Sequence, residues 1–185
     1  DVFKNFRRED LVLFEIDRSG LSDSHSLKTA LDYLVAKKLQ AICDKHHLPY
    51  PKGKITFRVL DELRQKCPES GIQEELIVNT TNKKQRKTRL YSHRLTPDYE
   101  MTRIVTASAS IPLLYKPTVI DEEEHNDGGV LLNCLTGLVK DDRSTLLGGE
   151  YGTNFKILPV VFDNGVEYTA INHSMWDIPR ENFIW

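Results

Sequence analysis

The chain of 185 residues is poor in cysteine and carries almost no net charge. Its three cysteines, Cys43, Cys67 and Cys134, are far apart and include no Cys-x-x-Cys pair. This pattern favours neither a disulfide framework nor a structural zinc site, and it indicates a reducing compartment. The net charge of −2 provides no overall attraction to nucleic acid or to an anionic membrane.

Long apolar stretches are absent as well. No run approaches the roughly 18 residues that a membrane-spanning helix needs, and no secretory signal follows Asp1. Hydrophobic residues form 39% of the chain and charged residues 28%, which is typical of a globular protein with a real core. The non-methionine start and the apolar residues 182–185 predict that residues 1–185 are a single domain, part of something longer.

Apolar residues at helical spacing predict three helices. The first has Ser24 or Ser26 as its cap and Pro49 beyond its end. Pro68 stops the second, and Pro97 occupies the first turn of the third. The three predicted helices cover residues 27–42, 56–67 and 96–110.

Several short apolar runs predict strands, and the polar residues 81–87 predict a hairpin between two of them. Helices alternate with these strands, which indicates an α/β layered fold but leaves the strand directions open. The runs lie at residues 11–16 (a strand or a packed loop), 76–80, 88–93, 113–120, 156–162 and 166–171.

The most informative motifs lie in the middle of the chain. Residues 107–112 read Ala-Ser-Ala-Ser-Ile-Pro, and residues 127–129 read Asp-Gly-Gly. In this order the two blocks resemble the second catalytic block of the patatin-like phospholipase family. A Thr-Phe helix start at 56–57, the hairpin, a Thr-Pro helix start at 96–97 and Asn133 follow the family's order. The resemblance covers roughly residues 21–133.

The resemblance implies a patatin-like layered fold with a central sheet flanked by helices. It implies that Asp127 is the base of a Ser–Asp dyad and that Gly128 and Gly129 form the active-site loop. The implied reaction is phospholipase A-type hydrolysis of phospholipids or other acyl lipids, without a metal or an organic cofactor. Peripheral membrane contact and a host protein activator are the implied partners, and nucleic acid is not.

The chain also departs from the family pattern. His125 and Asn126 stand where an aromatic and an aliphatic residue are usual, and Cys134 stands where proline is usual. The first strand, the glycine-rich oxyanion loop and a Gly-x-Ser-x-Gly turn are missing. The chain therefore resembles the part of the catalytic domain that follows the nucleophile turn, and we expect it to be inactive alone.

These departures leave two hypotheses open. The first is a divergent lipid hydrolase, similar to a secreted bacterial effector that acts at membranes in a host cytoplasm; otherwise the protein is cytoplasmic. The alternative is a non-catalytic module that binds protein or lipid on a degenerate patatin scaffold. A Gly-x-Ser-x-Gly turn upstream in the parent protein would favour the enzyme.

Other candidate sites are weaker. Ser22 lies in a near match to the nucleophile turn, but helix capping explains it more simply. A Ser–His–Asp triad could combine Asp127 with His173, although no histidine spacing favours it. The basic run at 82–89 and the acidic run at 121–124 are each interpreted as solvated turns.

Overall fold

The computed structural model describes residues 14–17, 20–133 and 135. The strands predicted at 156–162 and 166–171 lie outside this part of the chain. The helices are α1 (His25–His46), α2 (Phe57–Lys66) and α3 (Met101–Ser108). The strands are β1 (Phe14–Asp17), β2 (Gly20–Ser22), β3 (Val78–Asn82), β4 (Lys87–Tyr91), β5 (Thr118–Ile120) and β6 (Glu123–Asp127).

Four strands form an antiparallel sheet in the order β4-β3-β6-β5. The predicted hairpin is confirmed as β3 and β4. The turn from β5 to β6 contains Asp121 and Glu122, both at positive φ, which suits a two-residue hairpin turn. In the centre of the sheet, Thr80 on β3 lies opposite Asp127 on β6.

The run at 11–16 is predicted to be a strand or a packed loop, and over its described residues it is a strand, β1, which pairs with β2 outside the main sheet. The end of β2 lies beside the segment that follows α3. The N–H of Ser22 donates to the carbonyl of Leu114 at 3.0 Å, and the N–H of Lys116 donates to the carbonyl of Ser22 at 2.8 Å.

The first two helices form as predicted because their signals are local. Ser24 occupies the N-cap position of α1, but its side chain makes no cap hydrogen bond. The carboxylate of Asp23 accepts from the N–H of His25 instead, at 3.1 Å. In α2 the hydroxyl of Thr56 accepts from the N–H of Val59, which is a regular N-cap.

The predicted start of the third helix is wrong. Thr96 and Pro97 form a turn, in which the N–H of Thr96 donates to the carbonyl of Ser92 at 2.8 Å. The carbonyl of Pro97 accepts from the N–H of Arg58 at 2.8 Å. This turn therefore satisfies an orphan donor in the first turn of α2, and α3 begins only at Met101.

Two apolar clusters hold the helices and the sheet together. The larger cluster joins α2 and α3 to the sheet, and the smaller one joins α1 to α2. The α/β layered fold class expected from the sequence is therefore confirmed. The buried members of the larger cluster are Phe57, Val78, Tyr91, Met101, Ile104, Ala107 and Ile120, and those of the smaller are Leu39, Cys43 and Leu63.

An ionic network connects α1 to the start of α3. The ammonium of Lys28 pairs with Glu100 at 2.5 Å and with Asp32 at 2.8 Å. The hydroxyl of Thr102 donates to the second oxygen of Asp32. This network holds α1 beside α3. Within the described residues, no helix combines the length and the hydrophobicity that crossing a bilayer would require.

Candidate active site at the Asp-Gly-Gly turn

Asp127 is the last residue of β6, and its backbone is anchored on two sides. It pairs with Thr80 across the sheet. Its N–H donates to the carbonyl oxygen of Ser110, at the end of the helix-and-proline block, over 2.9 Å. The structure therefore brings together the two blocks that are separate in the sequence.

The carboxyl group of Asp127 is half-buried and held in place locally. Its Oδ1 accepts from the N–H of Gly129 at 2.6 Å, at the start of the 3-10 turn Gly128–Val130. Burial raises the pKa of this carboxyl above its usual value, and the Gly129 N–H partly opposes the rise. A carboxylate with a raised pKa is a stronger base, which suits it to accept a proton.

Gly128 is required because the chain passes very close to β3. A Cβ atom at this position would lie 2.5 Å from the side-chain Cγ of Asn79 and would also meet the Asn79 carbonyl. The amide of Asn79 donates to the carbonyl of Leu132 at 2.9 Å. Asn79 therefore packs against Gly128 and also binds the backbone of Leu132. Only glycine fits at position 128.

Gly129 is less tightly enclosed. A Cβ atom there would lie 3.0 Å from Asp127 Oδ1 and 3.1 Å from Asn133 Oδ1. Such a contact would press on the carboxylate itself. The second glycine therefore leaves the Asp127 carboxylate room to stay in the orientation that the backbone N–H gives it.

Hydroxyl groups surround the end of α3. Ser110 is fully buried, and its Oγ donates to the carbonyl of Thr106 at 2.8 Å. The Thr118 hydroxyl lies 3.4 Å from Ser110 Oγ and 3.5 Å from Ser24 Oγ. The Ser110 hydroxyl is therefore used in a hydrogen bond to the helix. We assign Ser110 a structural role, because its backbone carbonyl anchors Asp127.

Ser22 does not occupy a nucleophile turn. It is fully buried in β2, and its hydroxyl donates to the carbonyl of Asp23 at 2.8 Å. A nucleophilic serine needs an exposed hydroxyl on a sharp strand-to-helix turn. The other member of the alternative triad, His173, lies outside the described residues, as does Cys134.

His125 is a buried polar residue whose role the sequence did not reveal. Its Nδ1 lies 2.8 Å from the hydroxyl of Thr80, and its Nε2 lies 3.3 Å from the amide of Asn82. Burial and the nearby Arg89 lower its pKa, against the opposing effect of Glu123 and Asp121. The alternation of a strand could have placed it on the Asp127 face.

Two ion pairs connect the basic run to the acidic run. Lys83 pairs with Glu124 at 2.7 Å, and Arg89 pairs with Asp121 at 2.9 Å. The guanidinium of Arg89 also lies 5.1 Å from the ring centre of Tyr91. These pairs hold the basic run beside the acidic run, which agrees with the interpretation of both as turns at the surface.

A comparison with protein families settles the family. The model of the patatin-like phospholipase family matches residues 1–139, which include both blocks. The chain belongs to the patatin-like phospholipase family. At the family level, a patatin-like phospholipase is a lipid hydrolase. The fold and the order of the motifs around Asp127 agree with this membership.

The patatin-like chain also has a viral relative. An uncharacterized protein of Acanthamoeba polyphaga mimivirus is 33% identical to it over 82 residues. The match covers 44% of this chain and 28% of the viral protein. The chain thus spans less than a third of that relative, and the activity of a whole protein is a matter for proposal.

Proposed function

We propose that this chain is the base-bearing part of a phospholipase A-type acyl hydrolase, with Asp127 as the base of a Ser–Asp dyad. The observation that carries the proposal is the double anchoring of Asp127. Its N–H is bound to Ser110, and its Oδ1 is bound to Gly129. A base must be held within about 3 Å of the proton it removes, and this anchoring supplies the required rigidity.

The proposed chemistry uses the second carboxylate oxygen. Oδ2 of Asp127 accepts the serine proton while the serine oxygen attacks the ester carbonyl of the lipid. The carbonyl oxygen becomes an oxyanion, which backbone N–H groups stabilise. Collapse releases the lysolipid, which takes up the proton, and leaves an acyl-serine. Water then attacks the acyl-serine and gives a proton to Asp127, which passes it to the departing serine oxygen as the fatty acid is released.

The serine itself lies elsewhere in the proposed enzyme. The chain contains no Gly-x-Ser-x-Gly sequence, and Ser22 and Ser110 both have buried hydroxyls engaged with backbone carbonyls. We therefore assign the nucleophile and the oxyanion loop to a part of the parent protein outside this chain.

An exposed apolar loop supports a lipid substrate. Ile111, Leu113 and Leu114 directly follow Ser110, and they are 45%, 64% and 46% exposed. Three large aliphatic side chains together on a surface are unusual without an apolar partner. We propose that this loop contacts the acyl region of a membrane surface, which would bring ester bonds close to Asp127.

The decisive experiment compares fatty-acid release from phospholipid vesicles by the full-length parent protein and its Asp127→Asn variant. Each is measured with and without eukaryotic cell extract, which tests for a host protein activator. The matched control is Asp98→Asn, because Asp98 is an exposed carboxylate that pairs with Arg58 at 2.8 Å. We expect Asp127→Asn to lose activity at least 100-fold, while Asp98→Asn keeps it.

Other outcomes would change the assignment. Release that survives Asp127→Asn would remove Asp127 from the mechanism. Vesicle binding without release, under all conditions, would support the alternative of a non-catalytic lipid-binding module. Release only with extract would support a secreted enzyme that acts at host membranes.

A further inference from the structure

Three side chains able to bind a metal converge where α1 and α2 end. His46 is the last residue of α1, Cys67 directly follows α2, and Glu69 lies in the 3-10 turn Pro68–Ser70. One imidazole nitrogen, the Sγ atom and one carboxylate oxygen all lie within 4.8 Å of one another. Ligands of a tetrahedral zinc ion are roughly 3.5 Å apart, since the bonds are about 2.0–2.3 Å long. A side-chain movement of about one ångström would close the triad.

One of the three side chains is buried and fixed, and the other two are accessible to solvent. The Cys67 side chain is buried, while His46 is partly exposed and Glu69 is exposed. The N–H of Cys67 donates to the carbonyl of Leu63 at 3.0 Å, and its own carbonyl accepts from Ser70 at 2.9 Å. The sulfur is therefore held by the backbone, and an ion can approach from the carboxylate side.

The local electrostatics favour a cation. The carbonyl ends of α1 and α2 meet here, and each carries a partial negative charge. The Glu69 carboxylate adds a full negative charge. The nearby ammonium groups belong to Lys45 and Lys66, whose exposed side chains have long flexible stems that keep the charge in solvent.

We propose that His46, Cys67 and Glu69 form a zinc site with solvent as the fourth ligand. Nitrogen, thiolate and carboxylate together match Zn²⁺, whereas Ca²⁺ and Mg²⁺ require oxygen ligands. On binding, the thiol releases its proton to solvent and the sulfur bonds to the metal. The ion would join the ends of α1 and α2 beside the cluster of Leu39, Cys43 and Leu63. The site goes beyond the hydrolase proposal and does not depend on it.

The test uses the chelator-treated full-length protein and Co²⁺ as a spectroscopic probe, followed by displacement with Zn²⁺. We expect one equivalent of Co²⁺ to produce a thiolate-to-cobalt charge-transfer band, which Cys67→Ser abolishes. Zn²⁺ affinity should fall at least tenfold in His46→Gln and in Glu69→Gln. The matched control is His47→Asn, since His47 is an exposed neighbour at φ 54°, where asparagine is tolerated.

The test measures metal binding and not hydrolysis, so failure of this proposal can be distinguished from failure of the hydrolase proposal. A charge-transfer band that persists in Cys67→Ser would assign the metal to another cysteine and overturn the proposal. If Cys67→Ser fails to fold, Glu69→Gln decides, because its exposed side chain can change without loss of packing. Equal Zn²⁺ affinity in Glu69→Gln and His47→Asn would also overturn it.

Discussion

The backbone N–H of Asp127 donates to the carbonyl oxygen of Ser110 over 2.9 Å, which joins β6 to the end of α3. This bond explains why the two motifs occur together in the sequence. The small residues of the first block let α3 approach the sheet, and Ala107 is fully buried there. The buried carbonyl of Ser110, just beyond the helix end, then accepts the hydrogen bond from the strand that carries the proposed base.

Gly128→Ala should destabilise the protein and abolish vesicle hydrolysis. The new methyl group would meet both the side chain and the carbonyl of Asn79, so β3 and the turn must separate. Overpacking of this kind costs about 1–3 kcal/mol of unfolding free energy. Urea unfolding and fatty-acid release would measure the two effects.

The control for this substitution is Gly71→Ala. Gly71 is at φ 76°, and a Cβ atom there would meet nothing within 4 Å, so alanine brings backbone strain of about 1 kcal/mol without a clash. Hydrolysis by Gly71→Ala should stay near that of the parent. Full activity in Gly128→Ala would contradict the role given to the close approach at Asn79.

Asp127→Asn should leave the protein at least as stable as the parent at pH 7. Burial raises the pKa of Asp127 in the folded state, so its contribution to stability is present below the unfolded pKa and is lost as the pH rises through the folded pKa. The amide removes the buried charge. The difference in unfolding free energy between the variant and the parent should therefore shrink towards about pH 4. Urea unfolding at both pH values measures it.

Asp98 should contribute to stability with the opposite pH dependence, which Asp98→Asn tests. The hydrogen bond from Arg58 lowers the pKa of Asp98, so its contribution is present at pH 7 and lost in acid. This variant should be no more stable than the parent at pH 7. If Asp127→Asn lowers the free energy of unfolding at pH 7, the charged carboxylate stabilises the fold, and the expectation for Asp127 is wrong.

His125 should make the protein sensitive to mild acid. Burial, aided by Arg89, lowers its pKa in the folded state, so its contribution to stability is present above about pH 6.5 and is lost as the pH falls through the folded value. His125→Gln should cost about 1–2 kcal/mol at pH 7.5, because the bond to Thr80 is imperfectly replaced. Between pH 7 and pH 5 its stability should fall less than that of the parent.

Thermal unfolding across this pH range would check the effect of His125, with His47→Asn as the control. His47 is exposed at the end of α1, so this variant controls for the loss of a histidine away from the sheet. An identical acid response in His125→Gln and the parent would assign the destabilisation to other groups.

Leu113→Asn should raise stability while lowering hydrolysis of vesicles. Leu113 is 64% exposed and lies at φ 74°, a conformation that costs leucine roughly 1 kcal/mol and that asparagine tolerates better. If the loop contacts acyl chains, the polar side chain should weaken vesicle binding several-fold. Hydrolysis of a short-chain soluble ester should be unchanged.

Leu95→Asn is the matched control for the apolar loop. Leu95 is also an exposed leucine, but it precedes α3, whereas Leu113 follows it. Vesicle binding reduced equally in both variants would indicate a general surface effect. Reduction confined to Leu113→Asn would support a specific membrane-contacting loop.

The elements that depend on neighbours in the chain were predictable. The apolar spacing within α1, the Thr56 cap of α2 and the polar turn between β3 and β4 each act over a few residues. The start of α3 was not predictable from the same rules. Thr96 and Pro97 are good helix-starting residues, but the Pro97 carbonyl is used by Arg58, a distant partner that local propensity does not include.

The sequence alone determined the family, through the order of the two blocks, and it singled out Asp127, Gly128 and Gly129. Only the tertiary structure decided the antiparallel order of the sheet, the fit of Gly128 against Asn79 and the burial of His125 beside Thr80. The physical reason is the range of the interactions. Caps and periodicity act within a few residues, whereas strand pairing, close packing and burial of charge depend on segments brought together by folding.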